Sequence, residues 1–143
     1  MFRALNDHFS VSPQITTDDV AAAAAQGFGL VINNRPEDES EDQTPGDAIA
    51  AAAQAAGMAY VAIPVTHAGF SEGQFKAMAA ALASTDKPIL AYCRSGTRST
   101  LLWALAEASR GKNPQALSAA AARAGYDLSP VQAIIDMLAA NAD

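Results

Sequence analysis

Pro88-Ile89-Leu90-Ala91-Tyr92-Cys93-Arg94-Ser95-Gly96-Thr97-Arg98-Ser99 is the stretch on which the reading of this chain turns. An apolar run bounded by a proline and a glycine-containing loop fits a buried strand. A helical pattern follows, from Ser99 through Leu101, Leu102, Trp103 and Leu105 to about Ser109. A strand that feeds a short loop and then a helix N-terminus is an anion-binding arrangement. The first-turn amides have no partner within the helix, and the helix dipole places partial positive charge there.

The single cysteine of the chain, Cys93, sits at the strand end of that loop, with Arg94 and Arg98 beside it. A thiolate is a far better nucleophile than a thiol, and a helix N-terminus flanked by guanidinium groups favours the thiolate. Gly96 lets the backbone turn closely, so that the amides of residues 94 to 98 converge in front of the sulfur. The expected result is a nucleophile facing an anion cradle, with Ser95, Gly96, Thr97 and Ser99 lining it. Ser99 is alternatively only the helix cap. A buried structural cysteine is the competing reading, but such cysteines lack this electropositive setting.

Outward from the loop, strands and helices alternate. Phe9–Ser12 reads as a first edge strand. A helix capped by Thr16 or Thr17 runs into the alanine tract and stops before Gly27. Gly29–Asn33 is a central strand, and Pro45-Gly46-Asp47 opens a helix over Ala48–Ala56. Tyr60–Val65 is a further strand, and Ser71 with Gln74 forms a capping box for a helix to about Ser84. Helices over about 114–124 and 129–140 complete the chain. This order predicts an α/β domain over residues 1–143, with a mainly parallel central sheet and helices on both faces.

The acidic run Glu37-Asp38-Glu39-Ser40-Glu41-Asp42 reads first as a solvated loop. The sharper alternative is a flap at the mouth of the site, paired with Arg35, Arg94 or Arg98. Arg35 follows a strand end, where ligands gather in open α/β sheets. It either adds charge to the pocket or pairs with the acidic loop.

With 143 residues the chain is long enough for one domain with a real core. Half the residues are hydrophobic and only 6% aromatic, which implies small side chains and closely packed helices. The net charge of -6 argues against general nucleic-acid binding. No apolar run reaches the roughly 18 residues of a membrane span. The N-terminal residues lack the apolar centre of a signal peptide, so a cytoplasmic protein with a reduced thiol is expected. One cysteine and two distant histidines make no metal site, and no cofactor is expected.

The Cys93 loop resembles two related families. Cysteine-based phosphatases carry Cys, five residues, Arg, then Ser or Thr. Rhodanese-type sulfurtransferases often read Cys-Arg-Ser-Gly-x-Arg-Ser, and Cys93–Ser99 has that form, with one residue fewer than the phosphatase loop. A tighter cradle suits a sulfane sulfur, whereas a phosphoryl group needs more room. The chain as a whole resembles the phosphatase-like domain of the beta-lactamase-hydrolase-like protein family, also described as a sulfur-transferase family. The resemblance rests on Val31–Pro36, Tyr60–Val65, the Cys93 loop and Leu101-Leu102-Trp103, over roughly residues 1 to 110. It implies a fold like that of dual-specificity phosphatases. Where those enzymes often place a general-acid aspartate, this sequence has His67, which either donates a proton or serves as a loop histidine bonding the backbone.

The first expectation is therefore a sulfurtransferase. Cys93 takes sulfane sulfur from thiosulfate or a persulfide, and Arg94 and Arg98 hold the donor. A thiol, or a persulfide-oxidising partner protein, accepts the sulfur. The alternative is a phosphate-monoester hydrolase that forms a phosphocysteine on Cys93, with Arg98 holding oxygens and His67 protonating the leaving group. A third reading is a non-catalytic module that binds an anion or a partner.

Overall fold

The computed structural model describes residues 2–142. Five strands form one sheet in the order β1-β2-β5-β3-β4, where β1 is Arg3–Ala4, β2 Phe9–Ser12, β3 Leu30–Asn33, β4 Ala59–Ala62 and β5 Ile89–Tyr92. β2, β5, β3 and β4 run parallel, and β1 lies antiparallel on the outer side of β2. Thus β2 is an interior strand and not the expected edge. The two-residue β1 covers it, and so short a segment carries no readable periodicity. The strand expected over Tyr60–Val65 already ends at Ala62.

Helices α1 (Thr17–Ala25), α2 (Gly46–Ala55), α3 (Glu72–Ala83), α4 (Thr97–Ser109), α5 (Pro114–Arg123) and α6 (Gln132–Asn141) surround the sheet, with a 3-10 turn at Ser129–Val131 before α6. Two of the helix starts are written in the sequence. Thr16 Oγ1 accepts from the Asp19 amide at 3.2 Å while Asp19 Oδ2 accepts from the Thr16 amide at 2.9 Å. Ser71 and Gln74 form the same reciprocal box at the start of α3, at 3.3 and 2.8 Å.

Strand alternation builds two cores. On β3 and β5, Leu30, Ile32, Ile89 and Ala91 face one side, packing with Phe9, Trp103 and Leu105. Val31, Leu90 and Tyr92 face the other, packing with Val20, Ile49 and Met58. Both faces are thus covered, as a mainly parallel sheet requires. Helix α4 is buried from Ser99 to Ala108. Its alanines at 104, 106 and 108 let neighbouring backbones approach, and it packs against both α3 and α6. Burying β5 and α4 so completely fixes the loop between them. Among the described residues, no helix is long and apolar enough to cross a membrane.

Candidate active site

The site forms where the parallel strands end. Register puts Ser12, Asn33 and Tyr92 level on β2, β3 and β5. One residue further on, the Cys93 amide donates to Ser12 O at 3.4 Å and the Asn34 amide to Tyr92 O at 2.8 Å. Cys93 therefore leaves the middle strand of the sheet, flanked by the segments that carry Gln14 and Arg35. Ligands bind at this kind of crevice, at the carboxyl ends of the strands in open α/β sheets.

Cys93 is buried, and its Sγ accepts the Gly96 amide at 3.1 Å. The loop curls back on the sulfur because Gly96 adopts φ +90°, a left-handed conformation that suits glycine. Gly96 is also the N-cap of α4. Its carbonyl accepts both the Thr100 amide (3.0 Å) and Thr100 Oγ1 (2.8 Å). The helix thus begins at Thr97, two residues before the expected start, and Ser99 does not cap it. Ser99 instead lies buried in the first turn with its Oγ unpartnered. Thr97, Arg98 and Ser99 supply first-turn amides beyond the reach of any helical carbonyl. Ser95 Oγ donates to Thr97 Oγ1 at 2.9 Å and accepts the Thr97 amide at 3.3 Å, which stiffens the loop.

Arg98 is anchored on two sides. Its Nη1 donates to Val65 O at 2.7 Å and to Glu39 Oε2 at 2.7 Å, and its Nη2 donates to Glu39 Oε1 at 2.9 Å. Arg35 Nε donates to the same Glu39 Oε1 at 2.9 Å, Nη1 to Gln14 Oε1 at 2.9 Å and Nη2 to Ser40 Oγ at 3.1 Å. The Arg35 side chain is only 3% exposed. The acidic segment is thus solvated at Glu37, Asp38, Glu41 and Asp42 but not at Glu39. Glu39 turns inward and bridges two arginines, because two guanidinium forks offset the cost of removing a carboxylate from water. Bonding to Arg98 first, and also to Arg35, holds the Glu39 carboxyl down at about 2, against the opposing effect of burial. The Glu39 contact in turn raises Arg98, helped by the nearby Cys93 charge. The Ser40 hydroxyl, donating at 2.6 Å, keeps the exposed Asp42 carboxyl below its ordinary range, with the positive charges of Arg35 and Arg94 contributing less.

The expected residues thus divide into groups. Cys93, Gly96, Arg98 and Ser99 converge at the strand end. Arg94 and Ser95 lie exposed on the loop, where the Arg94 carbonyl accepts the Gln14 amide at 3.2 Å, and Thr97 is exposed as the first residue of α4. His67 is exposed on the segment between Val65 and Ser71, two residues beyond the carbonyl that anchors Arg98. Arg35 is buried and committed to Glu39, Gln14 and Ser40, which answers the earlier choice in favour of pairing with the acidic loop.

Sequence reasoning missed two residues. Gln14 bridges the β2 end to Arg35. Tyr126, between α5 and the 3-10 turn, donates its hydroxyl to Ser95 O at 3.0 Å. Its ring also abuts Gly96, and Arg3 stands 5.3 Å over that ring. Burial first, and the nearby Cys93 charge further, raise the Tyr126 hydroxyl against the influence of Arg3. No sequence spacing signals a contact between residues 126 and 95. Among the described residues, no group of His, Cys, Asp and Glu is arranged to hold a metal ion.

Comparison with known proteins bears on the family and the fold. Residues 1–110 match the family described as Beta-lactamase hydrolase-like protein, phosphatase-like domain. A Beta-lactamase hydrolase-like protein from Xylella fastidiosa (strain Temecula1) is 37% identical over 108 residues, 76% of this chain and 25% of that protein. The chain thus spans about a quarter of the length of the curated relatives it matches. The crystal structure of a candidate phosphatase from Neisseria meningitidis superposes with a TM-score of 0.82 at 30% identity, covering 95% of this chain and 96% of that one. Tk-PTP in its active form superposes with a TM-score of 0.76 at 17% identity, covering 98% and 97%, a likeness of fold alone. With the family model matching residues 1–110, most of the chain, and a cysteine-phosphatase-like fold around Cys93, the chain belongs to the phosphatase-like domain family of beta-lactamase hydrolase-like proteins.

Proposed function

We propose that this domain is a cysteine-dependent hydrolase of phosphate esters. The observation that carries the reading is the curled loop. Cys93 Sγ lies at the N-terminus of α4, bonded to the Gly96 amide at 3.1 Å, with Arg98 anchored in the first turn. Likeness to phosphatases across nearly the whole chain supports the same choice. In the proposed reaction the Cys93 thiolate attacks phosphorus, the ester P–O bond breaks, and the alcohol leaves with a proton. Water then attacks the phosphocysteine, releasing inorganic phosphate and restoring the thiolate. Loop amides and Arg98 stabilise the equatorial oxygens. His67 is the proposed proton donor, carried on the segment tethered through Val65 O to Arg98.

One observation favours a second reading, sulfur transfer. Only four residues separate Cys93 from Arg98. In that reaction the thiolate attacks the outer sulfur of thiosulfate, the S–S bond breaks, and sulfite departs. A thiol acceptor then takes the sulfur from the Cys93 persulfide. A paired assay separates the two, with Cys93→Ser as control. One arm follows hydrolysis of an aryl phosphate, and the other follows thiocyanate formed from thiosulfate and cyanide. Phosphate release that is lost in Cys93→Ser supports the hydrolase. Thiocyanate without phosphate release replaces it with the sulfurtransferase.

A further inference from the structure

The guanidinium of Arg98 has five N–H donors, and its contacts account for three. Two go to the Glu39 carboxylate and one to Val65 O. No oxygen partner takes the Nε–H and the second Nη2 hydrogen, which together form the side edge of the fork, beside the Cys93 sulfur. An oxyanion above Cys93 can therefore use that edge without displacing Glu39. The carboxylate stays in place, also held by the buried Arg35. The charge that meets an incoming anion is then not that of two free arginines. Arg35 and Arg98 contribute two positive charges, Glu39 removes one, and the Cys93 thiolate that the proposed reaction requires removes the other. Arg94 is exposed on the rim, and its charge acts only weakly on Asp42 of the same acidic segment.

We infer that Glu39 is a specificity-determining residue that tunes the pocket toward singly charged oxyanions, such as a phosphate ester in its monoanionic form, and against dianions of the same shape. The inference rests on the reading of the Cys93 loop as an anion pocket. Removal of the Glu39 charge strengthens binding in proportion to the charge on the ligand, because Coulomb energy scales with the product of charges.

The test uses tungstate and perrhenate, tetrahedral oxyanions of similar size that carry two charges and one. Dissociation constants are read from protection of Cys93 against iodoacetamide at pH 7.5, in the wild type, Glu39→Gln and Glu39→Ala. Thermal unfolding checks that each variant is folded, and either one suffices. The expected result is binding tighter by on the order of tenfold for tungstate and about threefold for perrhenate. Weaker binding of both anions would mean that Glu39 only orients Arg98, and equal shifts would mean that its charge does not discriminate. Either result overturns the proposal while leaving the pocket intact. Failure of both anions to protect the wild type removes the anion-pocket reading, and this inference with it.

Discussion

Replacing Gly96 by alanine probes the loop and the tail together. Gly96 sits at φ +90° and ψ -10°, where an L-residue pays roughly 1–2 kcal/mol for the left-handed backbone. A Cβ built there also collides with the Tyr126 hydroxyl and comes within 3.0 Å of its Cζ. The ring must withdraw, and the 3.0 Å bond from Tyr126 to Ser95 O goes with it. A hydrogen bond of this kind contributes about 1 kcal/mol, so the total loss is about 2–3 kcal/mol. Urea denaturation of the wild type, Gly96→Ala, Tyr126→Ala and the double variant measures this directly. In the Tyr126→Ala background only the backbone cost remains, so the cycle should return a coupling of about 1 kcal/mol. A coupling near zero would refute the claim that the tail braces the Cys93 loop. A Gly96→Ala loss below about 0.5 kcal/mol would refute the left-handed turn itself.

Two further outcomes follow from the same contacts. The Glu39 carboxyl lies at about 2 in the folded chain against an ordinary 4.5. Between those values the unfolded state binds more protons, so this carboxylate contributes stability above about pH 5 that is lost as pH falls from 4.5 toward 2. The stability gap between wild type and Glu39→Gln should be about 1–3 kcal/mol at pH 7, allowing for solvent screening at the loop. It should narrow in urea titrations at pH 3, and a gap independent of pH would rule the ion-pair account out. Leu102→Ala removes a fully buried side chain from the larger core and should cost about 2–5 kcal/mol. A loss under about 1 kcal/mol, read from the urea midpoint, would mean that α4 is packed less tightly than its burial indicates.

Much of the architecture was legible before any coordinates. The apolar run Ile89–Tyr92, the alternation of elements, a threonine cap at 16 or 17 and the capping pair Ser71/Gln74 are local signals. They act over one turn or one strand, and the structure retains them. The loop residues Cys93, Gly96 and Arg98 were likewise readable, because contiguous residues must share a site when a strand feeds a helix. Errors arose where distant parts meet. In sequence β2 reads as an edge because nothing in Arg3–Ala4 announces a strand. The composition of the acidic segment reads as solvated throughout, although one of its carboxylates is held by two arginines.

By itself the sequence determined an α/β sheet with helices on both faces, and a cysteine set before a helix N-terminus in an electropositive loop. Those features rest on periodicity, caps and turn chemistry, all written in neighbouring residues. Only the tertiary structure decided which charges the pocket presents. Arg98 meets Glu39 across 59 positions of chain and Val65 across 33, and Tyr126 meets Ser95 across 31. Such pairings depend on how helices and strand ends pack, because a carboxylate is drawn inward only where folding has already brought two guanidinium groups together.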